Sequence, residues 1–231
     1  MQQYGYGEFL RTEVAIDARA RFISRTYNHL FGAIIAFASI EVALFKLGIA
    51  PALASWMTGR AWLLVLGAFM LTSWLATHVA LAARSLPAQY AALAGCVLIQ
   101  SVIFVPLLHT ANRFAPGCTE SAALVTFAGF AALTAIAFYT RRNFSFLRGL
   151  LLWGGSGALA LIVAGALFGF QLGTFFSVAL VVFAGAAILY DTDNVIHRFP
   201  EDRHVAAAIS LFASVALLFW YILRLFVSSR D

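Results

Sequence analysis

The chain has 231 residues, of which 62% are hydrophobic and 11% charged, against about 45–50% and about 25% in an ordinary soluble domain. Too few polar side chains remain to cover a water-facing globule, so the soluble class is excluded. The formal net charge of +5 comes without the dense basic run, or the basic patch interleaved with aromatics, that nucleic-acid binding needs.

The first 28 residues, "MQQYGYGEFLRTEVAIDARARFISRTYN", are mixed polar. A signal peptide would place its apolar core earlier and end in a small-residue cleavage site. Residues 1–28 therefore read as an N-terminal arm. From Glu8 to Arg25 the arm reads either as a short amphipathic helix, with Phe9, Leu10, Val14 and Ile16 on its apolar side, or, in its first part, as a disordered segment. Residues 29–231 form the membrane domain. Seven apolar runs follow, at 29–47, 61–82, 90–108, 122–139, 146–168, 172–190 and 205–227. Each is near the length that crosses about 30 Å of hydrocarbon. Lipid offers the backbone no hydrogen-bond partners, so the runs must be helices. The connectors hold Pro51 and Gly59, then Pro87, then Pro116 and Gly117, then the charged "TRRNFS". Runs five and six meet at "FGFQLG". Joined, they would make one span far too long for a bilayer, so two helices and a tight turn are expected.

Arginine placement orients the bundle. Ten of the fifteen basic residues fall on the side of the N-terminal arm, including Arg19, Arg25, Arg84, Arg198 and Arg203. The other side holds Lys46, Arg60, Arg113, Arg224 and Arg230. Positive charge gathers on the cytoplasmic face, so a cytoplasmic N-terminus in a cell inner membrane is expected. Small residues crowd the fifth run, "GLLLWGGSGALALIVAGALFG", with Gly165 and Gly169 in GxxxG register, and close helix packing is the expected use. Cys96 and Cys118 lie at depths too different for a bridge and read as free thiols.

Few residues in such a chain can carry chemistry. Asp191 stands where the sixth run ends. A helix C-terminus carries partial negative charge and unpaired carbonyls, so a carboxylate there is unfavourable until a proton or cation joins it. The position suits a proton-sensitive group or an oxygen ligand of a hard cation. An interfacial pair with Arg25 or Arg84 is the alternative. Asp193 is the second metal candidate, yet two residues along an α-helix point about 200° apart. Both could face one cation only if the helix unwinds near Asp191. His78, His197 and His204 share the same side and could respond to pH with Asp191. Ordinary interfacial histidines are the alternative, and no zinc-enzyme spacing is present. Glu41 is the acid set well inside an apolar run, about 18 Å along its helix. Arg224 is its expected structural partner, and a place on an ion pathway is the other reading. "GGSG" at 154–157 looks like the serine motif of rhomboid proteases, but no histidine is expected at the depth of Ser156 to activate it. No enzymatic site and no cofactor are expected.

"FAGAAILYDTDNVIH" followed by "AAAISLFASVALLFWYILRLF", with "RTYNHLFGAIIAF" entering the first span, resembles the Bax inhibitor-1 (transmembrane Bax inhibitor motif) family. The resemblance is sharpest over about the last 45 residues. It implies an all-α integral membrane fold of seven transmembrane helices, the C-terminal helix enclosed by the other six. It also implies a cation leak, notably of calcium, controlled by protonation of two aspartates on the cytoplasmic side. Asp191 matches the first. The second falls on Ser214, where a hydroxyl replaces a carboxylate. Calcium takes six to eight oxygens, so any calcium site here is expected to be weak. The partners implied are the lipid bilayer and cations. Some bacterial relatives are thought to restrain a membrane-bound ATP-dependent protease, and a regulatory contact of that kind is the alternative function.

Overall fold

A computed structural model describes residues 2–57, 72, 75, 76, 78–80, 82, 83, 85–140, 143–169 and 172–229, with side chains from Ile16 onward except at Ala166. The described elements are all helical: α1 (Gln2–Lys46), α2 (Ala50–Met57), α3 (Leu86–Phe114), α4 (Cys118–Tyr139), α5 (Leu147–Phe168), α6 (Thr174–His197) and α7 (His204–Ser228). Six of these, all but α2, are long and apolar enough to cross a membrane, and the protein is a multi-pass membrane protein. The second apolar run, 61–82, lies mostly outside the described residues; Thr72, Leu75, Ala76, His78, Val79, Ala80 and Ala82 within it are helical.

α1 passes unbroken from Gln2 through His29 to Lys46, and its membrane-compatible stretch begins at Ile16. Pro51 opens α2 instead of a loop, since proline is tolerated in a first helical turn where its missing N–H is not needed. α2 packs Ala50 and Ala54 onto Val105 of α3. α3 starts after an extended Ser85 with proline in its first turn. Inside it, Pro106 removes one helical hydrogen bond, and the Thr110 hydroxyl donates to the Pro106 carbonyl at 2.9 Å.

α5 and α6 are separate helices, divided by Gly169. Its φ of 77° is a left-handed conformation that side chains resist. Its N–H donates to the Gly165 carbonyl at 2.9 Å. The Gly165–Gly169 pair thus closes a helix end, where the sequence suggests a packing stripe. Close packing appears instead at Gly154 and Gly155, where a Cβ on either would stand 3.3 Å from the ring of Phe183 on α6. α5 leans chiefly on α6, and only 6% of its most apolar stretch is buried in protein.

α7 is the opposite case. Of its apolar stretch 72% is buried, and it packs against α6, α1, α4 and α3. A helix apolar on every side needs apolar neighbours on every side. Two apolar clusters divide along it. One gathers Val205 to Ile209, Leu211 and Phe212 with Phe22, Leu30, Leu93 and Val97. The other gathers Ala216, Leu218, Trp220 and Leu223 with Phe104, Leu108 and Ile188. Ser214 falls between them. On α6 the same seam lies between Ile188 and Val195.

Candidate functional site

Asp191 occupies that seam from the α6 side. The Ser214 hydroxyl, on a residue only 7% exposed, donates to Asp191 Oδ2 at 2.5 Å. Among the described residues this hydroxyl is the only partner of the Asp191 carboxylate, and no guanidinium pairs with it. The family register that matches Ser214 to the second acidic position therefore brings together two side chains from different helices.

The setting of Asp191 differs from the expected one in a specific way. The apolar run ends at Tyr190, but the helix continues to His197. The last turn is held by side chains bonding within their own helix. His197 Nδ1 lies 2.9 Å from Asp193 Oδ1, and Arg198 donates to Asn194 Oδ1 at 2.8 Å. The N–H groups of Arg198 and Phe199 both donate to the Asn194 carbonyl. The helix dipole acts mainly through the last turn, which begins beyond Asp191. Its exposure to negative helix-end charge is correspondingly small, and its distinguishing feature is a hydroxyl partner between two apolar clusters.

Asp193 faces elsewhere, as its offset from Asp191 along a continuous helix requires. It is 2% exposed, ion-paired with Arg198 Nη2 at 3.0 Å and hydrogen-bonded with His197. Arg198 also donates to Asn143 Oδ1 at 2.6 Å, tying the end of α6 to the segment before α5. Asp191 and Asp193 thus have different partners and do not form one cation site. Among the described residues no three His, Cys, Asp or Glu side chains converge as a metal site, and Asp191 with Ser214 falls short of the six to eight oxygens that calcium takes.

The histidines also divide. His197 belongs to Asp193. His204, buried at the start of α7, meets the ring of His29 at 4.9 Å between centroids. His78 lies on an exposed helical face. His29, which sequence reasoning did not single out, lies 2.6 Å from the Arg25 carbonyl through Nδ1 and 2.7 Å from the Tyr90 hydroxyl through Nε2. A carbonyl only accepts, so Nδ1 carries the proton when the ring is neutral and the Tyr90 O–H donates to Nε2.

Arg19 is the other residue sequence reasoning passed over. Its guanidinium donates to the carbonyls of Val195 and Ile196, each at 2.8 Å, and Phe199, at 2.6 Å. Carbonyls of a helix's final turn have no donors within the helix, and a planar fork of N–H groups fits several at once. Arg19 thereby locks α1 to the end of α6. Arg203 does similar work for the stretch before α3, donating to the carbonyls of Ala80 and Ala83.

The expected Glu41–Arg224 pair is not made. Arg224 turns toward the Leu172 carbonyl, 3.5 Å away. Glu41 lies 6% exposed, and neither carboxylate oxygen has a hydrogen-bond partner among the described residues. It lines a cavity between α1, α4 and α7. Depth along a helix was readable from sequence, but the rotation of each helix about its axis was not, and rotation decides which side chains meet. Ser156 donates to its own helix at Leu152, on an exposed face. Cys96 and Cys118 are free and buried.

A carboxylate with only a hydroxyl partner can accept a proton or a cation without first breaking an ion pair. Comparison with known proteins identifies the family. The chain is 27% identical over 228 residues to Bax inhibitor 1 of Schizosaccharomyces pombe, covering 92% of this chain and 78% of that protein. It is 35% identical over 109 residues to an uncharacterized protein of Pseudomonas aeruginosa, covering 46% of this chain and 48% of that protein, about half its length. The family model described as "Inhibitor of apoptosis-promoting Bax1" matches residues 19–231, from the Arg19 clamp through the Asp191–Ser214 seam to the last residue, and the chain belongs to this Bax inhibitor-1 family.

Proposed function

We propose that this protein is a non-enzymatic inner-membrane cation leak, with calcium among its cations, whose rate depends on pH through Asp191. In this reading seven helices span the bilayer, the N-terminus is cytoplasmic and the last helix is enclosed by the other six. The cytoplasmic assignment rests on the arginine asymmetry. The observation that carries the leak is the Asp191–Ser214 contact. It joins the most buried of the described helices to its main neighbour, on the seam between two apolar clusters. Loading or unloading that carboxylate changes what holds α6 to α7. Ser214 supplies no second negative charge, so calcium is held weakly and passes instead of being stored.

The test is flux into proteoliposomes loaded with a calcium indicator, across a pH series, for wild type and Asp191→Asn. Wild type should exceed protein-free liposomes and vary with pH, and Asp191→Asn should flatten the profile. Flux equal to protein-free liposomes at every pH would refute the leak. A second reading, a regulatory contact with the membrane-bound ATP-dependent protease, is favoured by the helical stretch of α1 ahead of Ile16. Co-purification that is lost on deleting residues 1–15 would support it; co-purification that survives the deletion would place the contact elsewhere.

A further inference from the structure

The cavity beside Glu41 is separate from the Asp191 seam and has its own chemistry. Its volume is about 530 Å³, within the range of sites that hold small organic molecules. α1 and α4 form its walls, and Phe212, Val215, Ala216 and Phe219 of α7 form its floor. Phe31, Val42 and Phe127 on its rim are 60%, 53% and 64% exposed. All three belong to membrane-spanning stretches, so the mouth opens sideways toward lipid.

Nearly the whole lining is apolar, and among the described residues it contains no lysine, arginine or histidine. Glu41 is its one acidic side chain, buried without a partner. Thr126 lines the same space, and its Oγ1 is likewise buried and without a partner among the described residues. A buried carboxylate without a cation or donor is costly, and the described residues supply neither here. An anion would meet no positive group. A calcium ion would find too few oxygens. A compact ammonium on an apolar body would complete the site. It would bring the missing positive charge to Glu41, and the rings of Phe37, Phe130 and Phe219 offer the faces that attract such cations. We propose that this cavity binds hydrophobic monoamines entering from the bilayer, with Glu41 as counter-ion to the ammonium and the aromatic lining around the apolar body.

The experiment uses the full chain in phosphatidylcholine nanodiscs. Equilibrium dialysis compares 6-phenylhexylamine with 6-phenylhexan-1-ol, with binding to empty nanodiscs subtracted. Wild type should bind the amine saturably and at least tenfold more tightly than the alcohol. Glu41→Gln should lower amine affinity at least tenfold and leave alcohol affinity unchanged. Ala123→Phe, which fills the cavity without touching the carboxylate, should weaken both. Equal affinity for amine and alcohol in wild type would overturn the proposal, as would undiminished amine affinity in Glu41→Gln or uptake equal to empty nanodiscs. If Glu41→Gln fails to fold, the amine-to-alcohol ratio in wild type decides the question alone.

Discussion

Replacing Arg19 by alanine removes three hydrogen bonds at one stroke, all to carbonyls at the end of α6. Hydrogen bonds from a charged donor contribute about 1.5–3 kcal/mol each when taken singly. Their sum overstates the loss, because one ordered side chain makes all three. Arg19 is also partly exposed, so water can reach some of the vacated carbonyls. Val195 is fully buried, and its carbonyl has the least access to a replacement. About 3 kcal/mol is the expected destabilisation, roughly that of one well-buried charged hydrogen bond plus part of a second. Arg19→Lys should recover under half, since an ammonium is a point charge and cannot span three acceptors as a fork does. Arg21→Ala, at an exposed neighbouring position, should stay within about 0.5 kcal/mol of wild type. The assay is unfolding in mixed micelles by increasing SDS fraction, followed by circular dichroism, with hydrogen exchange of the last turn of α6 as a local readout. Equal stabilities for Arg19→Ala and Arg21→Ala, with unchanged exchange near Val195, would refute the clamp.

Ser214→Ala should cost about 1.5–3 kcal/mol in the same unfolding assay, as expected for a buried hydrogen bond to a carboxylate. Ser214→Asp supplies a second carboxylate and should bind calcium more tightly by isothermal titration; unchanged affinity would mean that the two side chains do not act as a cation site. Asp193→Asn weakens a buried ion pair whose Arg198 partner is 35% exposed, so about 2 kcal/mol is expected, below the cost of breaking a fully buried pair. Gly169→Ala meets no neighbour but keeps a left-handed backbone, and about 1–2 kcal/mol of destabilisation should appear.

Composition and run length made the helical membrane fold readable, because lipid leaves the backbone few alternatives. The Asp191–Ser214 contact was reachable through motif register, since both residues sit at fixed offsets from apolar stretches. Other features were hidden for distinct reasons. The end of α6 was misplaced because hydropathy reports where lipid-compatible side chains stop, whereas Asp193, Asn194, His197 and Arg198 prolong the helix through polar contacts of their own. Arg19 read as one more topogenic charge; nothing local announces carbonyl partners about 176 to 180 positions away. Glu41 and Arg224 were matched by depth, and helix rotation separated them.

The notch that Gly154 and Gly155 present to Phe183 has a consequence for how this family can vary. Two absent methyl groups set the spacing of α5 against α6, and one benzyl ring occupies the gap. Exchanging those glycines for alanine, or the ring for a smaller group, would shift α5 by tenths of an ångström while the helices around α7 keep their places. Repacking at this notch therefore falls on a helix whose apolar stretch is only 6% buried in protein, at little expense to the interior.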